Sequence, residues 1–344
     1  MTELLLFSIS FFASYAGVAA YIRYSSKRGL LDVPNDRSSH QTPTPRGGGL
    51  VIVTVSLFAY CIISTCLSNT ISWGYVVGAL IIALVSWFDD LYSVSFIIRF
   101  FIHSAAASTV LVDSGYWNEL YVPGTGFILY LGTFGVIITF FWIVWMINAY
   151  NFMDGIDGIA GLQAVLASTG WLIFALVFDY NSIYLFAGVL LFTNLGFLLH
   201  NWSPAKIFMG DVGSAFLGFT FAVLPIMAFK EKPDIAPVVP VVALFFVWFF
   251  IFDTILTLFL RLLKGERVWI AHRGHLYQRL VFSGRSHGFV AAFYGSFTAV
   301  VVIASLTFAI FRGNFEFLLI SIVLFLTAAL LAVSLKRNID LIKQ

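Results

Sequence analysis

Charge is scarce in this chain. Of its 344 residues only 10% are Asp, Glu, Lys or Arg, 60% are hydrophobic, and the mean hydropathy is +0.95. Soluble domains carry roughly 25% charged residues, so a water-facing globule is excluded. Cysteine is almost absent: Cys61 and Cys66 lie in one apolar run, which excludes a disulfide framework or zinc spacing and leaves two small buried hydrophobes. Neither sign of charge is in surplus. The 19 Lys and Arg against 17 Asp and Glu give a net charge of +2, and nothing here argues for nucleic acid. Basic residues are also missing ahead of the first apolar run, where Glu3 stands instead. A cleaved signal needs a basic start, so that run is expected to be retained as a first span.

What the chain does have is long apolar sequence. A spanning helix needs about 20 apolar residues, and the runs predict about eleven, at 4–22, 48–67, 71–88, 96–112, 127–147, 160–178, 182–199, 214–229, 236–260, 289–311 and 316–335. The ninth is long enough to tilt or to protrude. No repeat or linker divides the sequence, so residues 1–344 are expected to form a single domain. The fold class is an all-α polytopic membrane protein, a bundle of about eleven transmembrane helices. Lys and Arg collect in the loops after the odd-numbered spans and in the C-terminal tail, for example Arg23, Arg37, Arg46, Lys206, Arg261, Arg273, Arg279 and Lys336. The positive-inside rule makes that side cytoplasmic, with the N-terminus outside and the C-terminus inside.

The polar motifs fall on the same side, so the active site is expected at the cytoplasmic face. Asp89 and Asp90 end the third span. An acid in an apolar run is functional by default, and adjacent carboxylates raise one pKa or recruit a cation, which suits Mg²⁺ and phosphate. In Asn148-Ala-Tyr-Asn151-Phe-Met-Asp154-Gly155-Ile-Asp157-Gly158, polar residues recur every three positions. A helix would place them on one slowly turning stripe, an oxygen-rich wall for a hard cation, with the glycines allowing close backbone approach or ending the helix. Lys206-Ile-Phe208-Met-Gly-Asp211-Val-Gly-Ser214 leads into the eighth span; Asp211 reads as a helix cap or as a third acidic element, and Phe208 as core or as a nucleobase platform. The loop His272-Arg273-Gly-His275 has no Cys and carries Arg, which favours a diphosphate clamp over zinc. The glycines of Pro43-Thr-Pro-Arg46-Gly-Gly-Gly49 either offer N–H groups to an anion or loosen the start of the second span.

From Asp32 to Arg279 this ordered set resembles the polyprenyl-phosphate N-acetylhexosamine-1-phosphate transferases, glycosyltransferase family 4. The resemblance implies Mg²⁺, or Mn²⁺ in its place, on Asp211 and Asn151. It assigns Asp154, Asp89 and Asp90 to catalysis and the lipid phosphate, Gly155, Asp157 and Phe208 to the uridine, and His272, Arg273 and His275 to the sugar diphosphate. His-Arg-Gly-His replaces the triple His of the peptidyl-muramyl branch. The DVPNDRSSHQTPTPRGGG and AHRGHLYQRL segments look most like the branch that begins bacterial O-antigen or capsule chains. The implied partners are undecaprenyl phosphate, a UDP-N-acetylhexosamine (GlcNAc or a 6-deoxy sugar) and membrane lipids, with no nucleic acid and with a homodimer allowed, in the bacterial inner membrane. The rival class is a transporter or channel, whose acids would be spread toward both faces.

Overall fold

Apolar runs in lipid must satisfy every backbone polar group within themselves, and the chain does this with helices. The computed structural model describes residues 2–34, 42–67, 71–267, 273–313 and 315–342. Among the described residues the α-helices are α1 (Thr2–Arg28), α2 (Gly49–Ile62), α3 (Trp73–Tyr92), α4 (Phe96–Ser114), α5 (Gly135–Met153), α6 (Ile159–Val177) and α7 (Asn181–Asn201). They continue with α8 (Asp211–Glu231), α9 (Val239–Phe246), α10 (Trp248–Leu263), α11 (Leu276–Phe282), α12 (His287–Phe311) and α13 (Phe315–Ile342). Ten helical segments among these residues are long and apolar enough to cross a membrane, and a bent pair makes an eleventh. The chain is a multi-span membrane protein.

Two expectations change. The ninth run is neither straight nor simply protruding: Ile235–Phe246 and α10 meet at 71°, because Val247 leaves helical geometry with φ −126° and ψ 20°. Run length alone cannot report direction. The fifth run opens as sheet, since Phe127–Tyr130 (β4) pairs antiparallel with Glu119–Val122 (β3) before the helix begins. The Pro-Gly-Thr-Gly turn between them allows the hairpin, and Tyr121 Oη and the Gly124 N–H both donate to Glu316 at the start of α13.

One helix organises the rest. In α8, 89% of the spanning window is buried, against 22% in α1 and in α4, so α8 is the central post. Its first turn is gripped by the segment ahead of α2. Leu31–Asp32 (β1) pairs with Thr44–Pro45 (β2), and Arg46 continues into a parallel bridge with Phe208. Gly48 N–H donates to Phe208 O at 3.0 Å and Gly49 N–H to Met209 O at 2.8 Å. The N–H groups of Gly48 and Gly49 are therefore spent on this pairing and are not available to an anion. The glycines serve close approach instead: a Cβ on Gly49 would lie 2.3 Å from Gly213 Cα. Backbone on both sides leaves no side chain to move aside. Gly49→Ala is expected to cost about 1–3 kcal/mol by overpacking, read as a lower thermal midpoint in detergent; an unchanged midpoint would mean the two backbones can part freely.

Candidate active site

The turn after α5, the C-terminus of α3, the residues before α2 and the start of α8 meet at one end of the bundle. Asp90, with a side chain 7% exposed, pairs with Arg46. Its two oxygens also accept the N–H groups of Asp211 at 3.0 Å and Val212 at 3.2 Å. A carboxylate at a helix N-terminus meets unpaired donors and the positive end of the dipole. Asp90 thus performs for α8 the capping role that sequence allowed for Asp211. Asp211 is instead the first helical residue, half-buried, 3.4 Å from the same Arg46 guanidinium. Asn151 lies beside it and donates to Ser214 Oγ at 3.0 Å.

The helical stripe holds only in part. Asn148 and Asn151 are on α5, but the helix ends at Met153, so Asp154 and Asp157 sit in the turn that follows. Gly158, at φ +77°, then starts α6. Leaving the helix is what aims Asp154 inward. Burial and the neighbouring Asp211 and Asp90 carboxylates push its pKa well above the usual range, against the opposing pull of Arg46. Burial would lower the Arg46 pKa, but Asp90 and Asp211 more than offset it and keep the guanidinium charged.

Other sequence-predicted residues lie apart from this core. Asp89 turns the other way, with Oδ2 2.5 Å from Arg99 Nη1 and Oδ1 accepting Val94 N–H at 2.6 Å. Each of the two adjacent acids is paired with its own Arg. Asp157 faces His287 Nδ1 at 3.2 Å and accepts Ala205 N–H at 3.2 Å. Burial would raise its pKa, but the bond and charge of His287 with the Ala205 amide hold it below the usual range. Gly155 packs under Tyr277, whose Oη would be 2.0 Å from a Cβ there. Phe208 is half-buried and lends its backbone to the Arg46 bridge. Arg273 lies over the Phe282 ring at 5.1 Å, and His275 reaches Asp253. His272 lies outside the described residues.

Sequence reasoning missed Arg46 and Asp253 as the partners that Asp90, Asp211 and His275 meet. Asp253 is a lone acid in an apolar run, which is itself a signal; Arg46 had none beyond its glycine neighbours. An apolar cavity of about 650 Å³ opens beside the site, lined among others by Phe96, Phe100, Trp142 and Ile255, with Arg99 and Asn148 as its polar residues. No group of three or more His, Cys, Asp or Glu among the described residues forms a metal cage by itself. Asp211 and Asn151 are adjacent oxygen-bearing side chains that could serve as two ligands of a hard ion.

A family model for glycosyl transferase family 4 matches residues 72–229. The chain is 30% identical over 267 residues to the "probable undecaprenyl-phosphate N-acetylglucosaminyl 1-phosphate transferase" of Bacillus subtilis, covering 77% of this chain and 73% of that protein. It is 30% identical over 282 residues to the decaprenyl-phosphate N-acetylglucosaminephosphotransferase of Mycobacterium leprae, covering 74% of this chain and 70% of that one. With the undecaprenyl-phosphate alpha-N-acetylglucosaminyl 1-phosphate transferase of Escherichia coli it shares 29% identity over 280 residues, 76% of this chain and 72% of the relative. The chain belongs to this family of membrane-embedded polyprenyl-phosphate N-acetylhexosamine-1-phosphate transferases, glycosyl transferase family 4.

Proposed function

We propose that the protein transfers N-acetylhexosamine 1-phosphate from a UDP-sugar to undecaprenyl phosphate at the cytoplasmic face of a bacterial inner membrane, as a single catalytic domain with Mg²⁺. The names of its relatives support the reaction class. The observation that carries it is the joining of Asp90, Asp154, Asp211 and Asn151 around Arg46, beside an apolar cavity that holds one arginine.

The acceptor phosphate oxygen attacks the β-phosphorus, the bond from that phosphorus to the bridging oxygen breaks, and UMP leaves. Both reactants are anions, so positioning and charge neutralisation dominate. Mg²⁺ bound at Asp211 and Asn151 would supply charge neutralisation for the diphosphate. Asp90 fixes Asp211 through the first amides of α8, and Arg46 keeps the carboxylates from repelling one another. Arg99 sits at the cavity's polar end, where the lipid phosphate would arrive with its first isoprene units among Phe96, Phe100 and Trp142. Asp154 is suited to hold or take a proton near the acceptor oxygen. The branch that starts O-antigen or capsule chains is the reading its first and last cytoplasmic loops favour, with GlcNAc or a 6-deoxy N-acetylhexosamine as the sugar.

The test is purified protein in detergent with Mg²⁺, undecaprenyl phosphate and a panel of UDP-sugars. UMP is expected with at least one UDP-N-acetylhexosamine and none without lipid or metal. No UMP from any donor would overturn the proposal.

A further inference from the structure

Asp253 is fully buried in α10, within an otherwise apolar stretch. Among the described residues its carboxylate meets only donors. Oδ1 accepts Leu276 N–H at 2.9 Å and Thr257 Oγ1–H at 3.2 Å, while Oδ2 accepts Tyr277 N–H at 3.2 Å and Tyr294 Oη–H at 2.8 Å. His275 Nδ1 lies 3.1 Å from Oδ1. An ionised carboxylate accepts and never donates, so the proton of this contact belongs to Nδ1, and Nε2 becomes the basic nitrogen of the ring. The backbone and hydroxyl donors would hold the carboxylate in place without the imidazole. Among the groups facing it in these contacts, His275 is the one that can bring a positive charge.

The ring is tied to the acidic turn as well. It stacks on Tyr277 with centroids 5.7 Å apart and lies 6.4 Å from the Phe152 ring. Tyr277 Oη donates to Phe152 O at 3.1 Å, and Gly155 packs against the same phenol. Asp154 lies between those two contacts in sequence. Burial, then Asp253 and Asp154, push the Tyr277 phenol far above its usual pKa, so it stays a neutral donor. Among the described residues, the ionisable groups that these contacts bring near His275 are Asp253 on α10, Tyr277 on α11, Tyr294 on α12, Asp154 on the turn, and the flanking Arg273 and Arg279, whose Nε donates to Gly274 O at 2.9 Å.

We propose that Asp253 is a positioning residue of the transferase site, acting through His275. Its carboxylate fixes the proton on Nδ1 and the orientation of the ring, and so aims Nε2 at a sugar-nucleotide diphosphate, to which the doubly protonated ring donates. Charge-assisted bonds of that kind are the strong ones for phosphate oxygens. What His275 meets rests on the transferase reading above; the couple itself rests on geometry.

Two measurements test it. In ¹⁵N-histidine spectra of the protein in detergent, with His275 assigned through His275→Gln, the wild type is expected to show the Nδ1–H tautomer. Asp253→Asn should release that tautomer toward a mixture with Nε2–H and raise the KM for the UDP-sugar about tenfold or more, with a smaller change in kcat. In the His275→Gln background, Asp253→Asn should add no further loss. A wild-type Nε2–H tautomer, which needs no variant to observe, overturns the proposal. So does an unmoved tautomer in Asp253→Asn, or an equal loss in the His275→Gln background, either of which marks a purely structural anchor. A protein that yields no UMP from any UDP-sugar instead overturns the transferase reading, while the spectra still decide the couple.

Discussion

If Asp211 holds the proposed Mg²⁺, Asp211→Asn is expected to reduce kcat by about 10²- to 10³-fold, because such an ion would supply several kcal/mol of transition-state charge stabilisation and Asn keeps volume while removing charge. Residual turnover should require more Mg²⁺. Folding should survive, since Asp211 contributes its N–H rather than its carboxylate to the grip on α8: the amides of Asp211 and Val212 donate to Asp90, and Asn preserves the backbone donor. The measurement is kcat against Mg²⁺ concentration at saturating UDP-sugar and lipid. An unchanged rate with an unchanged Mg²⁺ requirement would remove Asp211 from the metal site.

Arg46→Met should be nearly as damaging, and for a different reason. The guanidinium pairs with Asp90 and lies 3.4 Å from Asp211, with Asp154 close enough to feel its charge. Without it three carboxylates face one another. Breaking a buried pair costs about 3–5 kcal/mol, but the Arg46 side chain is 34% exposed, so screening reduces this. A stability loss of about 1–3 kcal/mol is the discounted expectation. The kcat should fall by at least about 10²-fold, as when a preorganised charged donor is removed. Mg²⁺ should raise the thermal midpoint more in the variant than in the wild type, because the ion then relieves repulsion that Arg46 otherwise relieves. Equal Mg²⁺ shifts in both proteins would show that Arg46 and the ion act on separate carboxylates.

The acidic motifs were legible because ionisable residues stand out in a chain so poor in charge. Asp89-Asp90, Asn151 with Asp154, and Asp211 all lie at or next to the site. Their division of labour was not legible. Asp89 and Asp90 are neighbours in sequence, yet they point to different arginines and only Asp90 joins Asp211. The three-residue spacing from Asn148 to Asp157 suggested one helix face, but a helix end at Met153 swings the last two acids off it. The glycines before α2 suggested anion binding or looseness, whereas a backbone contact with Gly213 explains Gly49.

Composition and run length determined by themselves that this chain lives in a membrane as a bundle of about eleven helical spans. In lipid a backbone has few ways to satisfy its own polar groups, so apolar length translates almost directly into helices. Partnership is different. Arg46 meets Asp211 across 165 residues and Asp90 meets the Asp211 amide across 121, and the bend at Val247 and the docking of α11 bring Asp253 to His275. Such distances are set by how helices pack, and no local pattern of residues encodes them. Only the tertiary structure decided which carboxylate caps a helix, which pairs with an arginine and which holds an imidazole.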